Sequence, residues 1–209
     1  MVGYVKLVVQ VKLTPDAVQA TAVERTLHAA HAAANWVSAV SFEHFGLKGS
    51  VRELRKLRYG ELKARGFGAQ AAQHIIKRVA DSYTTLRANI RGGNLGPEHS
   101  KRRRKAESKP VTFRPEAAHT YDDRCLSWNY VAQTVSIWTL NGRIKNIPFT
   151  CSAGALGQLT ENRKGESDLM ARDGKLFHQR RRQPHRAPSG PLPQVAGPQE
   201  SRTPGQEDP

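Results

Sequence analysis

Three small sets of residues have types that chemistry uses. His28 and His31 are three apart, which brings two imidazoles to one side of a helix. No Asp, Glu or Cys nearby offers a third ligand, so the pair does not make a zinc site. Asp122 and Asp123 could hold magnesium in principle. Adjacent residues on a strand or turn point apart, however, and an aspartate at a loop start is the simpler reading. Cys125 follows Arg124, whose charge would lower a thiol pKa, but no histidine partner is in evidence, and a half-buried strand cysteine accounts for it. GxGxxG, HExxH and phosphate-loop lysine motifs are absent. No catalytic residue, metal or cofactor is expected.

Charge is the stronger signal. The 209 residues carry a formal net charge of +15. Residues 1–177 hold 28 Lys/Arg against 15 Asp/Glu, so +13 belongs to them and +2 to the remainder. Such an excess suits a polyanionic partner, nucleic acid first, because phosphate neutralisation supplies sequence-independent affinity. No apolar run approaches membrane-spanning length, and no membrane partner is expected. Tyr4–Leu13 alternates, with Lys6 and Lys12, where a signal peptide would be continuously apolar. Two cysteines, Cys125 and Cys151, make no disulfide framework, so a reducing cytoplasm is the expected setting, with nucleoid association if DNA is bound.

The elements that position these charges follow from periodicity. Tyr4–Leu13 reads as a strand. Thr14 as N-cap and Pro15 at the first helical position open a helix whose stripe is Val23, Leu27, Ala30, Ala34 and Val37, ended by Gly46 and Gly49. Ser50 and Glu53 form a capping-box pattern before a short basic helix with Leu54 and Leu57 inward. A third helix runs from about Ala69 to Ile90, burying Ile76, Val79, Tyr83, Leu86 and Ile90. Its polar sector carries Gln70, Gln73, Lys77, Thr84, Arg87 and Arg91, either a solvated face or a ridge turned to nucleic acid. The following loop holds Lys101, Arg102, Arg103, Arg104 and Lys105, a candidate phosphate-binding run.

From Pro110 the pattern changes to strands: Val111–Arg114, Cys125–Tyr130, Thr134–Leu140, Arg143–Phe149 and Asp168–Phe177, with Asn141-Gly142 and Asp173-Gly174 turns. The expected fold is α+β, a small OB-like β-barrel (1–13 and 110–177) interrupted after its first strand by a three-helix insertion with its basic loop (14–109). Trp128 and Trp138 either fill the barrel or offer stacking surfaces. Residues 178–209 hold seven of the twelve prolines and almost nothing apolar, so a disordered tail is expected there.

Five blocks, in order, resemble the TnpB/OrfB family of transposon-encoded RNA-guided nucleases, the transposase-like accessory proteins. They are Ala33–Ser38 (AANWVS) after the Lys6–Pro15 opening, Ala71–Leu86, Val111–Pro115 (VTFRP), Val135–Phe149 and Arg163–Phe177. The resemblance spans nearly all of residues 4–177. It implies a wedge-type barrel and a helical recognition domain that grip a guide RNA from a transposon end and read a short DNA motif beside the target. It places Gln73, with Gln70 and Lys77 on the same face, towards that motif, and Tyr121 and Asp122 as looser matches. The family continues into a RuvC-type nuclease with metal-binding acidic residues, which the sequence after Asp173 does not supply.

The expectation is thus a truncated, catalytically inactive TnpB-like protein that binds RNA and DNA. Its tail would be a frame-shifted reading of GC-rich DNA, and its last wedge strand would be cut short at Phe177. Two alternatives remain: a nuclease-free RNA-guided repressor, and an unrelated basic RNA-binding protein.

Overall fold

The computed structural model describes residues 8–161, 166–172 and 175–181. Among these residues the fold is α+β, with five helices and an antiparallel sheet that curls into a half-barrel. The first strand, β1 (Val8–Leu13), buries Val9, Val11 and Leu13 and exposes Gln10 and Lys12, as alternation requires. Residues 4–7 of the expected strand lie outside the described residues.

Helix α1 (Ala17–Phe45) starts two residues later than Thr14 and Pro15 suggested. Thr14 continues the strand instead, its N–H donating to the Pro148 carbonyl at 2.8 Å. The cap is Asp16, whose carboxylate accepts from Gln19 N at 2.8 Å while Gln19 Oε1 accepts from Asp16 N at 3.1 Å. At the other end Gly46 takes φ 57°, and Gly49 sits where a Cβ would lie 2.3 Å from Ser41 Oγ.

With 29 residues at about 1.5 Å each, α1 is long enough to join two cores. Its first turns put Val23 and Leu27 into the sheet core, with Val11, Ile137, Ile147, Phe149 and Leu169. Its later turns put Ala30, Ala33, Ala34 and Val37 into a helical core with α2 (Val51–Ala64) and α3 (Ala69–Arg91). Alanine there lets α3 approach closely, and Ile75, Ile76, Val79 and Tyr83 are completely enclosed. Ser50 caps α2 by the expected box with Glu53. Leu54 is buried, whereas Leu57 is only half-buried and Leu62 does more of the packing.

The basic run is not a loop. Lys101–Glu107 forms a short helix, α4, capped by Ser100 Oγ accepting from Arg103 N at 3.2 Å. Val111–Arg114 is not a strand. The Asn35 side chain supplies what a neighbouring strand would, accepting from Phe113 N at 2.7 Å and donating to Phe113 O at 3.0 Å. Ser38 Oγ donates to the Val111 carbonyl at 2.6 Å, and the Tyr83 hydroxyl accepts from Val111 N at 3.3 Å. The extended segment is therefore bound to the helices by side chains.

The remaining strands are β2 (His119–Tyr121), β3 (Leu126–Asn129), β4 (Thr134–Thr139), β5 (Gly142–Thr150), β6 (Ser167–Arg172) and β7 (Lys175–Arg181). Their order is β2-β6-β7-β1-β5-β4-β3, with each neighbouring pair antiparallel. An irregularity between Val135 and Ile137 bends β4 against β5. The two end strands, β2 and β3, are only four residues apart in the chain, which brings the ends of the curled sheet together. Helix α5 (Ala153–Glu161) covers the sheet with Leu159. Neither β2 nor α5 was expected: three residues are too few to show alternation, and α5 carries two glycines.

Asp168–Phe177 resolves into the hairpin β6–β7, and β7 does not stop at Phe177. It pairs with β1 as far as Val8↔Arg181 and with β6 through Ser167↔Arg180. The expected boundary therefore moves by four residues: His178 to Arg181 belong to the sheet, and residues 182–209 lie outside the described residues. No helix among the described residues is long and apolar enough to cross a membrane.

Candidate nucleic-acid interface

The polar sector of α3 divides into two halves. Its N-terminal half lies between α2 and the β2–β3 link. Arg55 Nη2 donates to Gln73 Oε1 at 3.1 Å, and Arg124 Nη1 reaches Gln70 Oε1 at 3.5 Å. Arg143 extends the row, donating to Ser127 Oγ at 2.9 Å and to the Arg124 carbonyl at 2.5 Å. Its guanidinium also lies over the ring of Trp138, 5.5 Å from the centroid. Arg55 and Arg124 are exposed, and Trp138 keeps 48% of its surface open. The result is a polar track, Arg55–Gln73–Gln70–Arg124–Arg143–Trp138, built from α2, α3, the β2–β3 link, β4 and β5.

The C-terminal half of that sector holds the helices together. Arg87 Nη1 donates to the Leu47 carbonyl at 2.7 Å and Nη2 to Thr84 Oγ1 at 3.1 Å, while the Thr84 hydroxyl donates to Ala80 O. Lys77 pairs with Asp81 at 2.5 Å, and that bond raises its pKa. Arg91 is exposed at the helix end. In α4, Lys101, Arg102, Arg104 and Lys105 are exposed, whereas Arg103 is held by Glu107 at 3.0 Å.

Tyr121 is only 4% exposed and belongs to the sheet core, so its ring offers no surface for stacking. Asp122 starts the β2–β3 link, its Oδ1 accepting from Arg124 N at 3.2 Å and from Cys125 N at 3.0 Å. Its other oxygen lies 3.7 Å from His74 Nε2. Burial, then the Asp122 carboxylate, pushes the Cys125 thiol up to about 11, which outweighs the neighbouring arginines. The two tryptophans divide: Trp128 lies against Phe149 and Tyr130 at the edge of the sheet core, and Trp138 faces out. His28 is exposed while His31 is buried, so the two imidazoles part. Among the described residues no group of three His, Cys, Asp or Glu side chains is arranged to hold a metal ion.

Behind the track the helices meet the sheet through a buried polar joint. Arg78 Nη1 is 3.0 Å from His31 Nε2, and its guanidinium lies over Phe113 at 4.8 Å. His119 meets His31 and Tyr121 edge-on, at 6.1 and 5.1 Å. Thr120 Oγ1 donates to Asp168 at 2.7 Å. Burial, then Arg78, lowers His31 to about 4 and His119 to about 3, so both are neutral at physiological pH.

No local spacing in the sequence joins Arg55, Arg124, Arg143 and Trp138; only the fold brings them together. No protein-family model matches the chain, and no curated protein matches it in sequence.

Proposed function

We propose that this chain binds nucleic acid along the track from Arg55 to Trp138, as the wedge-type and recognition part of a TnpB-like protein. Its partners in this reading are a guide RNA from a transposon end and target DNA beside a short motif. The observation that carries it is the convergence of arginine and glutamine side chains from separate elements into one row, exposed at Arg55 and Arg124 and half-buried at Gln70, Gln73 and Arg143, beside an open tryptophan. Arginine forks suit phosphates, glutamine amides suit base edges, and an exposed ring suits stacking. Two resembling blocks, Ala33–Ser38 and Val111–Pro115, bond to each other through Asn35 and Ser38 across more than seventy residues and so form one packed unit. The half-barrel sheet, with its helices entering after β1, supports the reading of a wedge-type domain with a recognition insertion. The chain is proposed to act by occupancy and without cleavage.

Binding of labelled RNA and duplex DNA across a salt series tests this. The Arg55→Glu/Arg124→Glu variant is expected to weaken binding at least tenfold and to reduce the slope of log K against log salt. Charge reversal across Lys101–Lys105 is expected to flatten the slope further. An unchanged slope in both variants would remove the proposal, and guide-dependent cutting in magnesium would overturn the non-catalytic part.

A further inference from the structure

A cavity of about 280 Å³ opens beside the track, between α1, the Gly66–Gly68 turn, the start of α3 and the end of β4. Phe67, Ala30 and Leu140 give it apolar walls, and Trp138 stands at its side. Its polar lining includes Gln70, Arg124 and His74, with His119 and threonines behind them. His74 is only 8% exposed, and its Nε2 has no hydrogen-bond partner, the Asp122 carboxylate being 3.7 Å away. A wholly apolar ligand would leave His74 Nε2 unanswered. A small multivalent anion would leave the walls unused.

We infer that the cavity takes a single unstacked nucleobase, its phosphate at the mouth against Arg124. The volume lies at the small end of ligand pockets, enough for one base and too little for a pair. The Gln70 amide offers both donors and an acceptor to a base edge, and the aromatic walls take a π-face. This deepens the proposed nucleic-acid reading and rests on it: a single-stranded segment would add one captured base to its contacts along the track, and an intact duplex would not.

Gly68 provides a test that does not endanger the fold. It is the N-cap of α3, has no side-chain cap bond, and has φ −59° and ψ 158°, where Asn and Asp sit without strain. Its Cβ would meet nothing within 4 Å. Both Gly68→Asn and Gly68→Asp should keep or raise Tm, but only Gly68→Asp brings a negative charge to the mouth. The probe is a short oligouridylate carrying one 5-iodouridine, photocrosslinked and mapped by peptide mass spectrometry. Crosslinks are expected on peptides bearing Phe67 or Trp138. Gly68→Asp should cut their yield at least fivefold, Gly68→Asn less than twofold, and Ala71→Leu, which narrows the cavity, should act like Gly68→Asp. Excess uridine monophosphate should compete and inorganic phosphate should not. Crosslinks confined to α2 or α4, or equal yields in all variants, would overturn the inference while leaving binding along the track intact. Failure of the unaltered chain to bind any strand would remove both readings.

Discussion

The two ends of α1 belong to different kinds of core. Its later turns meet α2 and α3 through alanines and a stripe of aliphatics, a core assembled from neighbours in the chain. Its first turns meet a sheet whose central strand, β1, pairs with β5 and β7, well over a hundred residues away. Local contacts form cheaply, whereas distant pairings cost loop-closure entropy before they stabilise anything. Because one continuous helix serves both, neither core is free to separate without exposing part of the other.

The sharpest way to break this comparison is to damage one core and monitor both. Ile76→Ala in the helical core and Ile137→Ala in the sheet core remove fully buried side chains, at about 2–5 kcal/mol each. If α1 makes the halves one cooperative unit, urea melts followed by far-UV circular dichroism and by tryptophan fluorescence will shift together for both variants. Separate transitions would mean that α1 unwinds between Leu27 and Ala30 and the halves are independent.

A smaller effect is expected where the extended segment 111–113 meets the helices. Asn35→Ala leaves the N–H and carbonyl of Phe113 without their partners, a loss of about 1–3 kcal/mol seen as a lowered Tm. Asn35→Asp keeps the acceptor and loses the donor, so its loss should be intermediate. Equal stability of all three proteins would mean that water replaces the amide.

This segment also indicates why the sequence was legible in one half and less so in the other. The stripes of α1 and α3 are written at three- and four-residue spacing, and Val23, Leu27, Ala34, Val37, Ile76 and Tyr83 are all buried as that spacing requires, whereas Leu86 and Ile90, past the helical core, are only half-buried. Val-Thr-Phe alternates as a strand would, but its partners turned out to be side chains of Asn35, Ser38 and Tyr83, which no local pattern announces. The same holds for the site. Gln70 and Gln73 could be read from the face of α3, whereas Arg124 and Arg143 join them only through sheet topology. Thr84 and Arg87 share that face, but Thr84 bonds back to Ala80 within α3 and Arg87 is taken up by Leu47, because the loop before α2 runs alongside. Tyr121 followed a polar stretch and was nevertheless drawn inward by β2, too short to be recognised.

The joint between the halves should respond to acid. His31 and His119 are held neutral in the fold, by burial and then by Arg78, with His74 and Asp168 also near. In the unfolded chain both would titrate near the ordinary value of about 6.5. Between that pH and about 4 the unfolded state binds more protons, so stability falls as pH falls. A loss on the order of 3–4 kcal/mol between pH 7 and pH 5, about half from each histidine, is expected from this source. Replacing His119 by Phe should flatten that part of the profile; an unaltered slope would assign the acid sensitivity to His31 and the carboxylates.

The smallest change tests the two halves of the α3 sector against each other. Gln73→Ala removes the acceptor for Arg55 and one amide from the track, yet no buried contact. Its stability cost should be within about 0.5 kcal/mol. Its effect should appear as altered preference among short DNA sequences, with overall affinity changed less than threefold, because phosphate contacts set affinity and base-edge contacts set preference. Arg87→Ala should do the opposite: it frees the Leu47 carbonyl and loosens the helices, lowering Tm while leaving sequence preference alone. A selection experiment on randomised duplexes with both variants separates the two roles. If Arg87→Ala changed the preferred sequence and Gln73→Ala did not, the reading half and the bracing half of the helix would have to be exchanged.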